Sequence, residues 1–71
     1  MPVIDVTMVE GRTPEQKDAL VVALTNAAVA TLSAPIESVR VILREVPPTH
    51  FAAGGETIAQ RRARTAGGSS A

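Results

Sequence analysis

Two short runs of alternating apolar residues, Val3–Val9 and Ser38–Val46, flank a stretch punctuated as one helix, and that order leaves the strands a single way to pair. In the first run Ile4, Val6 and Met8 face one way and Val3, Asp5, Thr7 and Val9 the other; in the second, Val39, Val41 and Leu43 oppose Arg40, Ile42 and Arg44. A period of two is that of a half-buried strand. Between the runs Thr13 reads as an N-cap, Pro14 as the first helical residue and Gln16 as the partner that completes a capping box. Leu20, Leu24, Ala27, Ala28, Thr31 and Leu32 recur at helical spacing, with Glu15, Lys17, Asp18 and Asn26 as polar positions. This predicts an amphipathic helix of about five turns, stopped by Pro35. Strands joined across so long a helix cannot form a hairpin. They are expected to be parallel, linked by a right-handed β-α-β crossover, which puts the chain in the α/β class.

One helix covers one face of a two-stranded sheet, so the other face and both edges need another cover. The chain has 71 residues, no Cys, no Trp, no Tyr and one Phe. At that length only about 60% of the unfolded surface is buried on folding, and neither a disulfide nor a Cys-based zinc site is available to help. Self-association is therefore expected, with sister subunits covering the open face and edges. Pro47-Pro48 ends the second strand, and His50-Phe51-Ala52-Ala53-Gly54-Gly55 reads as a loop or short hairpin with positive φ at the glycines. Residues 1–62 are expected to form one domain. After Arg61 and Arg62, residues 63–71, which run through Arg64 into Gly-Gly-Ser-Ser-Ala, are expected to form a disordered tail.

Seven basic and seven acidic residues give a formal net charge of zero. Phosphate binding normally draws on a basic surplus and base stacking on aromatics, so nucleic acid is not the expected partner. No apolar run approaches the ~20 residues of a membrane span and no signal-peptide pattern precedes the first strand, which makes the cytoplasm the default compartment.

Few side chains here can do chemistry. With one His, no Cys and no carboxylate cluster at metal-ligand spacing, metal hydrolysis and thiol catalysis are not expected, and no metal or organic cofactor is. Ser33, Ser38, Ser69 and Ser70 lie at a helix end, a strand start and the tail, poor places from which to build a triad with His50. The terminal amine and the arginines remain. If Met1 is removed the chain begins with the secondary amine of Pro2, and an ordinary α-amino group titrates near pH ~7.7–8.0. Desolvation or nearby positive charge would lower that value and leave a base at neutral pH. Read alone, Pro2 is an exposed proline without a task, Arg12 a solvated loop residue, and Arg40 a strand residue paired with Glu37 or Glu45. Together they form a constellation: two guanidinium forks suit an anionic carboxylate substrate and would disfavour a protonated Pro2. Phe51 is a core anchor or the apolar wall of a pocket, His50 a titrating loop residue, and Asp5 either solvated or paired with an arginine.

Pro2, the stretch Glu10-Gly11-Arg12-Thr13-Pro14-Glu15-Gln16-Lys17, the segment Ser38-Val39-Arg40-Val41-Ile42, and His50-Phe51 before Gly54-Gly55-Glu56 together resemble the 4-oxalocrotonate tautomerase family, from Pro2 to about Arg62. The resemblance implies a β-α-β protomer with a short C-terminal hairpin, dimers with a four-stranded sheet, and a homohexamer of three dimers. It implies that Pro2 is the general base and that Arg12 holds a substrate carboxylate in the same subunit. Arg40 would reach in from a neighbouring subunit to polarise the 2-oxygen, and Phe51 would make the site apolar. The implied reaction is the cofactor-independent ketonisation of a dienol such as 2-hydroxymuconate, a step of aromatic catabolism. The related chloroacrylate dehalogenases add a carboxylate after the loop and often a second arginine near the first. This chain has Ala52-Ala53 and Val9 in those neighbourhoods, so hydration and dehalogenation are not expected as its main activity. Two alternatives stay open: a biosynthetic tautomerase with a bulkier enol acid, for which Ala52 and Ala53 leave room, and a non-catalytic self-assembling homologue in which retained Met1 blocks Pro2.

Overall fold

The computed structural model describes residues 2–66. In chain order the elements are β1 (Val3–Val9), α1 (Pro14–Leu32), a 3-10 turn (Ile36–Ser38), β2 (Arg40–Val46), a second 3-10 turn (Pro48–His50), β3 (Ala52–Ala53), β4 (Glu56–Thr57) and α2 (Ile58–Ala66). The chain divides into two compact units, one of the residues up to Thr7 with Gly11–Arg44, the other of Met8–Glu10 with the residues from Glu45 onward. β1 and β2 are neighbours in a two-stranded sheet. The Arg40 N–H donates to the Pro2 carbonyl at 3.0 Å, and at the other end the Glu10 N–H donates to the Val46 carbonyl at 2.9 Å. Both strands therefore run the same way, as a helical crossover requires.

In the first unit α1 starts where its punctuation says. Thr13 Oγ1 accepts from the Gln16 N–H at 3.1 Å while Gln16 Oε1 accepts from the Thr13 N–H at 3.0 Å, so two otherwise orphaned donors are satisfied reciprocally. The helix ends at Leu32, before Pro35, because Ser33 turns into the left-handed region with φ 55°. Its covered stripe is Lys17, Leu20, Val21, Leu24, Thr25, Ala28 and Val29, at the i, i+3, i+4 spacing of one face. Ala27, Thr31 and Leu32, expected on that stripe, are exposed. Each residue step turns the helix by about 100°, so replacing Ala27 by Val21 and Val29 moves the seam by a fraction of a turn. On the sheet the alternation holds for most positions: Ile4, Val6, Met8, Val39, Val41 and Leu43 are half-buried and Val3, Asp5, Thr7, Arg40, Ile42 and Arg44 exposed, while Val9, expected with Val3, is half-buried. β2 begins at Arg40, not Ser38. The Ser38 N–H and Oγ both donate to the Pro35 carbonyl, at 2.9 and 2.7 Å, and hold that residue in the 3-10 turn.

Among the described residues only Ala28 is buried, while Val3, Val22, Leu32, Ile36 and Ile42 stand 43–63% exposed. A large aliphatic side chain gains about 1.5–3 kcal/mol when fully buried. One chain by itself leaves most of that gain unrealised.

In the second unit β3 and β4 pair antiparallel, Ala52 opposite Thr57 and Ala53 opposite Glu56. Gly54 and Gly55 join them with φ of 60° and 83°, the two positive values of a type I′ hairpin turn. α2 was not expected. It runs through residues 63–66, which the sequence assigns to a tail; residues 67–71 lie outside the described residues. Among the described residues no helix is long and apolar enough to cross a membrane.

Candidate active site

Pro2 is half-buried at the head of β1, its carbonyl fixed by the Arg40 N–H at the head of β2. The two are backbone neighbours, yet strand alternation sends their side chains apart. Pro2 shares the parity of half-buried Ile4 and Val6, and Arg40 lies with Ile42 and Arg44 on the open face. There Arg40 Nη1 donates to the Glu37 carbonyl at 2.7 Å, so its partner is the backbone of Glu37 and not the carboxylate the sequence suggests.

Arg12 is exposed in the loop that links β1 to α1, after Gly11, whose φ of 127° lets the chain leave the strand for the Thr13 cap. β1, Val3–Val9, is about 20 Å long at ~3.3 Å per residue. Pro2 precedes β1 and Arg12 follows it, one at each end of the strand.

The open sheet face also settles Asp5. Arg44 Nε and Nη2 donate to its two carboxylate oxygens at 3.1 and 2.7 Å, a fork-on-fork pair between β2 and β1. Asp5 thus neutralises Arg44 and leaves Arg12 and Arg40 as cations.

In the second unit Phe51 is half-buried between the second 3-10 turn and β3, and its carbonyl accepts from the Ile58 N–H at 2.8 Å. His50 is exposed. Glu56, the first acid after the glycine pair, is gripped by Arg64: Nε to Oε2 at 2.8 Å and Nη2 to Oε1 at 3.0 Å. Those hydrogen bonds, with the charges of Arg64 and Arg61, outweigh partial desolvation and hold the Glu56 carboxyl below its ordinary range. A carboxylate so occupied is poorly placed to activate water, which agrees with the absence of an acid at Ala52-Ala53. The sequence carries a signal for the start of α2. Thr57-Ile58-Ala59-Gln60 repeats the spacing of Thr13-Pro14-Glu15-Gln16, and the same reciprocal bonds form, Thr57 N–H to Gln60 Oε1 at 2.8 Å and Gln60 N–H to Thr57 Oγ1 at 3.0 Å.

A conserved family pattern described as "Tautomerase enzyme" matches residues 2–61. The chain belongs to the tautomerase family. It is 62% identical, over 78% of its length and 79% of the relative's, to a probable tautomerase of Ralstonia nicotianae. With the 2-hydroxymuconate tautomerase of Pseudomonas sp. strain CF600 it shares 42% over 87% of its own length and 98% of the relative's. Among solved structures it superposes on TomN, a 4-oxalocrotonate tautomerase homologue in the tomaymycin biosynthetic pathway, with a TM-score of 0.85 and 52% identity over 87% and 95% of the two chains. A heterohexamer 4-oxalocrotonate tautomerase from Chloroflexus aurantiacus gives 0.82 and 47% over 84% and 97%. The chain is thus an isomerase of the 4-oxalocrotonate tautomerase group. The tautomerase match opens on Pro2 and closes before Arg64, so the residue that grips Glu56 lies beyond the family pattern.

Proposed function

We propose that the protein is a cofactor-independent keto-enol tautomerase that uses the amine of Pro2, freed by removal of Met1, as general base on a 2-hydroxydienoate such as 2-hydroxymuconate. The observation that carries this is the position of Pro2: it opens the family match and stands half-buried at the head of β1 with its carbonyl pinned. In the reaction the Pro2 nitrogen takes the proton of the 2-hydroxyl, the oxygen's electrons form the 2-keto group as the diene shifts, and the same nitrogen returns the proton to a carbon of the conjugated chain. Arg40 stabilises charge on the 2-oxygen, worth about 3 kcal/mol if it acts like a typical oxyanion donor. Arg12 orients a substrate carboxylate, and Phe51 supplies an apolar wall that strengthens both cations. The position of Arg40 on the open sheet face, with the side chain of Pro2 on the other, supports the reading that Arg40 reaches a Pro2 of a neighbouring copy. A homohexamer of three dimers, which would also cover the exposed Val3, Ile42 and Val22, provides such copies. On this reading the substrate is one of aromatic catabolism.

One observation favours a second reading, a biosynthetic tautomerase acting on a bulkier enol acid: identity to TomN, 52%, exceeds that to the Pseudomonas enzyme, 42%. Small, exposed Ala52 and Ala53 follow Phe51 and leave space for a larger substrate. An ultraviolet assay of the mature protein, its mass verified to lack Met1, decides with 2-hydroxymuconate and phenylenolpyruvate. A higher kcat/KM for 2-hydroxymuconate supports the first reading and the reverse order supports the second. Turnover of neither contradicts the function.

A further inference from the structure

The helix α2 reaches back to the one aromatic residue by a chain of contacts whose last member, Arg64, lies beyond the matched residues 2–61. The β3–β4 ladder carries on one rung past its strands, where the Ile58 N–H donates to the Phe51 carbonyl at 2.8 Å. Ile58 is the first residue of α2, and Thr57 before it both ends β4 and, with Gln60, forms the capping box. Two helical turns on, Arg64 closes on Glu56 with two parallel hydrogen bonds at 2.8 and 3.0 Å. Hairpin, helix start and Phe51 backbone are thus one mechanical unit, closed at its C-terminal end by Arg64, beyond the matched residues 2–61. A bidentate guanidinium-carboxylate pair fixes orientation as well as distance, which a single bond or a lysine would not.

We propose that Arg64 is a positioning residue for the tautomerase reaction: by gripping Glu56 it holds the hairpin and, through Ile58, the Phe51 segment in the conformation in which Phe51 walls the substrate site. This rests on the reading of Phe51 as that wall. Arg64 touches no reacting atom, so it governs how well the substrate is held and not the proton transfer on Pro2. Binding lost equally from ground and transition states raises KM and leaves kcat in place.

The test uses the full mature protein with Arg64→Leu, Arg64→Lys, Glu56→Gln, the swapped pair Glu56→Arg with Arg64→Glu, and Phe51→Ala. kcat and KM for 2-hydroxymuconate are read beside hydrogen exchange of the Ile58 amide, with circular dichroism to confirm folding. Arg64→Leu and Glu56→Gln are each expected to raise KM about three- to fivefold, the upper range for an exposed pair, with kcat within about twofold, and to speed Ile58 exchange by a similar factor. The double variant Glu56→Gln with Arg64→Leu should be no worse than either single one. Arg64→Lys should restore less than the swapped pair does. Faster Ile58 exchange at unchanged KM, or unchanged exchange in Arg64→Leu, overturns the proposal, provided Phe51→Ala itself raises KM. If Phe51→Ala leaves KM unchanged, the reading of Phe51 fails and the proposal falls with it, while the role of Pro2 stands.

Discussion

At the scale of single residues the chain separates cations that are spent from cations that are free to act. Arg44 is spent on Asp5 and Arg64 on Glu56, whereas Arg40 holds only a backbone carbonyl. The charges that could act on a substrate carboxylate are those that no neighbouring acid has neutralised. Arg40→Ala is expected to lower kcat by about a hundredfold and Arg12→Ala to raise KM with little change in kcat, checked by steady-state kinetics on 2-hydroxymuconate. The Asp5–Arg44 pair, with both side chains about half exposed, is a different matter. Arg44→Ala should shift stability in denaturant by less than about 1 kcal/mol, and less still at high salt. Glu56 adds a pH dependence whose sign follows from its lowered pKa. Its contribution to stability is fully present above the carboxyl's ordinary value near pH ~4.3 and is lost as pH falls through the lowered folded value. Unfolding curves of the protein and of Glu56→Gln should therefore converge in acid.

At the scale of elements, local chemistry decided what could be read from the sequence. The bounds of β1 follow from an alternating apolar run, and the start of α1 from a capping box whose two hydrogen bonds lie within three residues of each other. Thr13→Ala should cost about 1 kcal/mol of stability in denaturant, with Thr57→Ala loosening α2 by the same mechanism. The face of α1 was harder to read. Its sequence is rich in Ala, Val and Leu on every side, so the i, i+3, i+4 template fits more than one stripe, and only packing selects Val21 and Val29 over Ala27. α2 was missed because Arg61, Arg62 and Arg64 ahead of Gly-Gly-Ser-Ser look like the start of a tail. Their helix starts on the Thr57–Gln60 capping box, and Arg64 bonds Glu56, eight positions back in the chain.

For the whole molecule, the catalytic constellation was legible as residue types but not as an arrangement. Pro2, Arg12, Arg40 and Phe51 stand out by chemistry, yet nothing in their spacing says how the strands and loops arrange them around a site. Among the described residues one is buried and five large aliphatic ones are exposed, so self-association is expected to complete the core. Unfolding should accordingly depend on protein concentration, Tm rising with each tenfold increase as expected for coupled folding and association. A Tm independent of concentration would mean that one chain is stable alone.

The central claim is that the amine of Pro2 is the base, and the dependence of kcat/KM on pH tests it most directly. Mature protein should show a rate that rises through one ionisation below the ordinary α-amino range, and Pro2→Ala should lose about a hundredfold or more in kcat together with that limb. The same profile and rate in Pro2→Ala would contradict it.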